Sequence, residues 1–156
     1  MKNDSKIVRF DVALTALFVV SSTLAAVIFD GFWKVQGVVI DLVLFAIGVA
    51  AFLWGYWAAV QRSREFEMSV AELYFLMGPA IPRRVKRALL ACLFVQVVAA
   101  LVTAIARPST PVDGGGSTAG STLAFGVLVP VLGLGLNGLW SARRGEFPAR
   151  RRAEDA

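Results

Sequence analysis

The chain has 156 residues, of which 57% are hydrophobic, and carries a net charge of +5 with no histidine and a single cysteine. Without histidine and with one cysteine, the chain cannot form a Ser-His-Asp or Cys-His catalytic group, an internal disulfide or a typical zinc site. We therefore expect no enzymatic activity, no resident metal and no cofactor, in a single domain that covers residues 1–156.

Four long segments contain no Asp, Glu, Lys or Arg: 12–29, 42–61, 88–106 and 114–142. A helix of about 20 apolar residues matches the roughly 30 Å hydrocarbon core of a bilayer. The sequence therefore predicts an all-α integral membrane protein, a four-helix bundle with a short amphipathic helix in its inner loop. The expected spans are 10–29, 37–60, 88–106 and 123–142.

The first span begins with basic residues, as a signal peptide does, but it is longer than the usual 7–15-residue apolar region. We expect it to be retained. A short outer turn at 30–36 separates it from the second span, which predicts that these two helices are antiparallel neighbours.

The inner loop, residues 61–87, carries the spacing of a helix N-terminus. Ser69 and Glu72 have capping-box spacing, and apolar side chains recur at helical intervals after Phe66. An amphipathic helix is predicted over 65–77, with Glu65, Ser69 and Glu72 on its polar face and a stop at Gly78-Pro79. This pattern fits a helix lying on the membrane surface.

An outer loop rich in Gly, Ser, Thr and Pro, residues 108–122, is expected to be mobile. In the fourth span, Pro130 predicts a bend. The G-x-G-x-x-G pattern at 133–138 lacks the preceding strand of a dinucleotide site, so we interpret its glycines as helix-packing positions, comparable to Ala51 and Gly55. The basic tail, 143–156, is expected to be disordered.

The basic residues are distributed unequally between the two sides of the predicted bundle. With the first span entering from the cytoplasm, 14 of the 16 Lys and Arg residues fall on the cytoplasmic side. This bias predicts a plasma-membrane protein with both termini in the cytoplasm, and it argues against nucleic acid as the partner of these charges. The same basic segments are expected to contact anionic headgroups at the inner face.

Few polar residues interrupt the predicted spans. Asp41 is interpreted as the only carboxylate drawn into a span, about one turn inside its outer end, where it serves either an ion pathway or the start of the helix. Gln96 and Asn137 are deeper, and they either join helices or line a small pore. Partner binding is expected at the inner face, through Glu65, Glu67, Glu72, Arg83, Arg84 and Arg87.

The chain resembles the small four-span membrane proteins of unassigned function that are common in high-GC Gram-positive bacteria. The resemblance rests on its Arg, Ala and Val content, on the segment 72–78 and on the end of the fourth span running into 143–148. It implies a plasma-membrane protein and supplies no functional residues.

Two main hypotheses follow. The first is a non-enzymatic accessory or scaffold protein that acts through helix packing and cytoplasmic contacts, with a membrane-protein partner or as a homo-oligomer. The alternative is an oligomeric carrier or channel for a small solute, proton or cation that uses Asp41, Gln96 and Asn137. A lipid-modifying membrane enzyme is a third hypothesis, which the absence of histidine disfavours.

Overall fold

The computed structural model describes residues 4–28, 30–112 and 116–150, apart from the side chains of 4, 5 and 110–119. Its four long helices are α1 (Asp4–Ile28), α2 (Gly31–Arg62), α4 (Arg83–Ala106) and α5 (Pro130–Arg144), the last preceded by a 3-10 helix (Thr122–Leu128). Each, with the 3-10 helix joined to α5, is long and apolar enough to cross a membrane. The prediction of four long apolar helices, compatible with a bundle, is confirmed.

The helices begin before the expected boundaries because charged residues occupy their first turns. Helix α1 starts at Asp4 rather than 10, and α4 starts at Arg83 rather than 88, directly after Pro82. Helix α2 starts at Gly31 rather than 37, where the Asp30 side chain accepts a hydrogen bond from the Gly31 N–H at 2.5 Å. A charge limits an apolar run but not a helix, so apolar runs underestimate helix length.

The four helices pack in the cyclic order α1, α2, α5, α4, and the most extensive contact joins α2 to α5. Glycines make this contact close: a Cβ at Gly48 would lie 2.5 Å from the Leu132 nitrogen, and one at Gly55 would lie 2.7 Å from the Leu139 nitrogen. A Cβ at Gly135 would meet the Gly48 carbonyl oxygen. The interpretation of the glycine pattern as a packing surface is confirmed.

The inner loop contains a much shorter helix than the predicted 65–77. Helix α3 covers Val70–Tyr74, and its capping box between Ser69 and Glu72 is confirmed. Leu76 ends it with a positive φ of 53°. The side chains of Leu73, Tyr74 and Leu76 are buried, so α3 packs against α5 instead of lying on a surface. The prediction of a long amphipathic helix over 65–77 is therefore wrong.

The tail expected to be disordered from 143 is ordered as far as 150. Helix α5 continues to Arg144, and the next residues pair with the inner loop through an antiparallel bridge between Phe66 and Ala149. The Glu67 N–H donates to the Pro148 carbonyl at 2.9 Å, while Phe147 is buried. We call residues 63–82 and 145–150 the cap, and the end of the bundle that they cover the capped end. Residues 151–156 lie outside the described part.

At the opposite end, the loop expected to be mobile forms a hairpin. Strands β1 (Ser109–Val112) and β2 (Gly116–Ala119) pair antiparallel, although residues 113–115 lie outside the described ranges. Pro130 is the first residue of α5 rather than a bend within a helix. Its missing N–H is tolerated there, because the first N–H groups of a helix have no intrahelical partner.

Candidate functional site

The buried faces of three helices carry polar side chains. Along α1 the buried positions include Asp11, Thr15, Phe18 and Ser22, at the three- and four-residue spacing of one helix face. Seven residues form what we call the polar interior: Asp11, Thr15, Ser22, Asp41, Cys92, Gln96 and Thr103. Each is less than a tenth exposed, so these groups face the bundle and not its surroundings.

The amide of Gln96 joins three helices at the centre of this interior. Its Nε2 donates to Thr15 Oγ1 at 2.7 Å and to Asp11 Oδ1 at 3.2 Å, both on α1. Its Oε1 accepts from the Gly133 N–H, in the first turn of α5, at 3.1 Å. Gly133 is also required sterically, because a Cβ there would lie 2.7 Å from that oxygen. Gln96 therefore joins helices, which is one of its two predicted roles.

Asp11 is the acidic member of this cluster, and the sequence interpretation missed it. Its side chain is completely buried, the Cys92 side chain contacts its carboxyl, and Oδ2 has no partner in the described part of the chain. The treatment of Asp41 as the only carboxylate in a span is therefore wrong. Asp11 lies within the expected span 10–29, and its i,i+4 spacing from Thr15 is a signal that could have identified it.

Asp41 is also buried, with 3% of its surface exposed. It is ten residues into α2, roughly 15 Å from the helix start at 1.5 Å per residue, because α2 begins six residues before the expected start at 37. A Cβ at Gly126 would lie 3.5 Å from both Asp41 Oδ2 and the Phe18 ring, which locates this carboxyl beside the 3-10 helix and α1. Its Oδ1 has no partner among the described residues.

The two carboxyls lie at different levels of the bundle. Asp41 is at the level of Phe18, and seven residues of α1 separate Phe18 from Asp11, a rise of about 10 Å. Phe18 is completely buried. The polar interior thus has one carboxyl, Asp11, nearer the capped end and another, Asp41, further from it and close to the Phe18 ring.

Asn137 does not share a layer with Gln96. It lies one helical turn beyond Gly133, and its Nδ2 donates to the Tyr74 carbonyl of α3 at 3.1 Å. The Tyr74 ring stacks on Phe52 with centroids 4.3 Å apart, and burial raises the pKa of the Tyr74 hydroxyl. Asn137 therefore fastens the cap to α5.

The six residues expected to bind partners do not form one helical face. Glu65 and Glu67 are exposed but precede α3, whereas Glu72 is partly buried and holds Ser69 in the capping box. Arg83, Arg84 and Arg87 are exposed in the first turns of α4. Glu72 thus has a local structural role, and Glu65 and Glu67 are the exposed acidic members of the predicted set; Glu146 of the cap is exposed as well.

The described residues contain no group of three or more His, Cys, Asp or Glu side chains that could hold a metal ion. Comparison of the chain with models of known protein families, with curated proteins and with solved structures finds no match. A function must therefore be inferred from the geometry of the polar interior and of the bundle surface.

Proposed function

We propose that this chain is a multi-pass integral membrane protein of the plasma membrane, with its capped end and both termini in the cytoplasm. The four long apolar helices support membrane insertion, as do the large apolar side chains on their outer faces: Phe94 and Ile105 expose 69% and 75% of their surface. In lipid these side chains need no further cover, whereas contiguous exposed apolar surface is rare on soluble monomers.

We further propose that the protein is non-enzymatic and carries a proton or a small monovalent cation through the polar interior. The observation that carries this proposal is the burial of two aspartates, Asp11 and Asp41, with no basic side chain bonded to either in the described part of the chain. A charged residue at mid-bilayer costs about 2.5–3.5 kcal/mol on insertion scales, and such residues often mark ion or proton pathways.

The distribution of the other polar groups supports the same function. A conduction path requires polar side chains along the facing sides of several helices. Ser22 and Thr103 donate to carbonyls of their own helices, to Phe18 at 2.7 Å and to Ala99 at 2.8 Å. Apolar side chains at these positions could fill the bundle interior equally well, so the number of polar side chains there favours transport over packing alone.

In this proposal the two carboxyls are successive binding positions. Gln96 donates to Oδ1 of Asp11, which leaves Oδ2 to accept a proton or contact a cation. Asp41 provides the next position. The rise of about 10 Å between their levels exceeds the length of one hydrogen bond. Transfer of a proton or cation between the two carboxyls therefore requires water or a movement of the Phe18 ring.

The test is ion flux into liposomes that contain the purified protein. A potassium gradient with valinomycin supplies the driving force, an internal pH-sensitive dye reports protons, and a sodium-sensitive dye reports cations in parallel. Asp11→Asn should reduce the flux to that of protein-free liposomes. Asp30→Asn is the matched control, because Asp30 lies outside the bundle and asparagine also caps helices well.

The proposal fails if the wild-type protein, inserted and folded, produces no flux of either ion. It also fails if Asp11→Asn and Asp30→Asn conduct equally. Circular dichroism of both variants in detergent excludes loss of helix as the cause of a difference.

A second function, an accessory protein that binds a partner at the cytoplasmic face, is favoured by one observation. The backbone hydrogen bonds of the cap hold Glu65 and Glu67 in an ordered, exposed position. We propose that a basic segment of a membrane-protein partner, or of a second copy, would bind there. Glu65→Lys with Glu67→Lys should abolish crosslinking to that partner, and an unchanged set of crosslinked proteins would refute this function. Glu72 is left unchanged because its loss would disrupt α3.

A further inference from the structure

An apolar groove opens between α1 and α2 at the capped end of the bundle. Its volume is about 560 Å³, and its walls include Ile7 and Phe10 of α1 and Ile47 and Trp54 of α2. Leu136 and Leu139 of α5 form its floor. The groove therefore exposes part of α5 that a tighter contact between α1 and α2 would cover.

The contacts of the neighbouring helices explain why this groove exists. The glycines of α2 hold that helix against α5, while Gln96 of α4 holds α1 through Asp11 and Thr15. Each of the two helices is thus fixed to a different partner, and the space between them is left unfilled. The groove is consequently a result of how these two helices pack against their neighbours.

One cationic side chain lines the groove, and a second contacts a residue of its wall. Lys6 is the only ionisable side chain among the described residues that line it. The guanidinium of Arg143, in the last turn of α5, lies over the ring of Trp54 with 5.5 Å between its Cζ and the ring centroid. An apolar groove with basic groups at its end matches an amphipathic molecule with an apolar chain and an anionic head.

We propose that this groove binds one anionic phospholipid of the cytoplasmic leaflet. One acyl chain lies along the leucines and isoleucines of the groove, and the phosphate lies between Lys6 and Arg143. This inference rests on the membrane placement in the proposed function but not on ion transport. Charge complementarity favours an anionic lipid over a neutral one, and over a second copy of the chain, whose matching surface would bring the same two cations.

The experiment is native mass spectrometry of the full chain in detergent, titrated with phosphatidylglycerol or with phosphatidylcholine of the same acyl chains. The wild type should bind the first phosphatidylglycerol molecule more tightly than the first phosphatidylcholine molecule. Each basic residue near a membrane surface contributes a factor of about five in affinity. Lys6→Gln with Arg143→Gln should therefore weaken phosphatidylglycerol binding about 25-fold. Phosphatidylcholine binding should weaken much less, because the cationic choline of this lipid offsets the charge of its phosphate.

Arg83→Gln with Arg84→Gln is the matched control, because it removes the same charge from the capped end outside the groove. Equal weakening by this control would overturn the inference, and so would an unaffected Lys6 and Arg143 variant. Ala50→Trp, which fills the groove, should weaken binding of both lipids. If it instead alters only the oligomeric state, the groove is a protein interface.

The two proposals fail in different ways. A wild-type protein that is recovered without detergent in the soluble fraction refutes the membrane placement. A wild-type protein that requires detergent but binds both lipids equally refutes only the groove as an anionic-lipid site.

Discussion

Gly48→Ala tests the close contact between α2 and α5. The added Cβ would lie 2.5 Å from the nitrogen and 2.6 Å from the Cα of Leu132. Non-bonded atoms prefer about 3.5–4.0 Å, and these contacts are with backbone, so the two helices must separate by about 1 Å. Overpacking of this kind costs about 1–3 kcal/mol, whereas alanine in place of glycine within a helix gains up to about 1 kcal/mol.

Gly31→Ala is the matched control in the same helix, because no atom lies within 4 Å of the Cβ that it adds. The free energy of unfolding, measured by titration with sodium dodecyl sulfate from a mild detergent, should be about 1–3 kcal/mol lower for Gly48→Ala than for Gly31→Ala. Equal stability of the two variants would refute the conclusion that glycine is required for the α2–α5 contact.

Three further changes test the polar cluster, the cap and the topology. Gln96→Leu leaves three hydrogen-bonding groups without their partner and should lower the free energy of unfolding by at least about 1 kcal/mol; an unchanged value would show that the cluster does not hold α1. Deleting 145–156 removes a buried phenylalanine and should lower the thermal midpoint in detergent, whereas deleting 151–156 should not; equal midpoints would refute a stabilising cap. The topology is tested in a variant without the native cysteine, to which one new cysteine is added. In intact cells, a cysteine at Ala149 should not react with an impermeant thiol reagent, whereas a cysteine at Pro108 should react. The reverse result would exclude the proposed orientation.

The apolar runs were sufficient to predict four long helices, because continuous apolar sequence of that length has few other stable forms. The capping box of Ser69 and Glu72 could also be predicted, because it depends on two residues three positions apart, and it is present. The glycine pattern also required no tertiary information, since a dinucleotide site needs a strand that leads directly into the glycines, and an apolar helical segment precedes them here. These features depend on neighbouring residues along the chain.

The errors concern contacts between distant residues. Asp11 is buried because Gln96, 85 positions later, faces it across the bundle, and no local pattern contains that pairing. The tail 145–150 is ordered because it pairs with the backbone near Phe66, which its basic composition does not predict. Asn137 bonds to α3 rather than to Gln96 for the same reason. Asp11 was also missed because it lies directly before the first apolar run, 12–29, and was read as a charge that limits this run.

Flux of protons and of sodium through Asp41→Asn, compared with Asp30→Asn, is the most direct test of the central proposal. Asp41 Oδ1 has no hydrogen-bond partner among the described residues, so asparagine there removes a titratable group with little expected loss of stability. In liposomes under a potassium-valinomycin gradient, Asp30→Asn should conduct like the wild type and Asp41→Asn should match protein-free liposomes. Equal flux through the two variants would contradict transport through the polar interior.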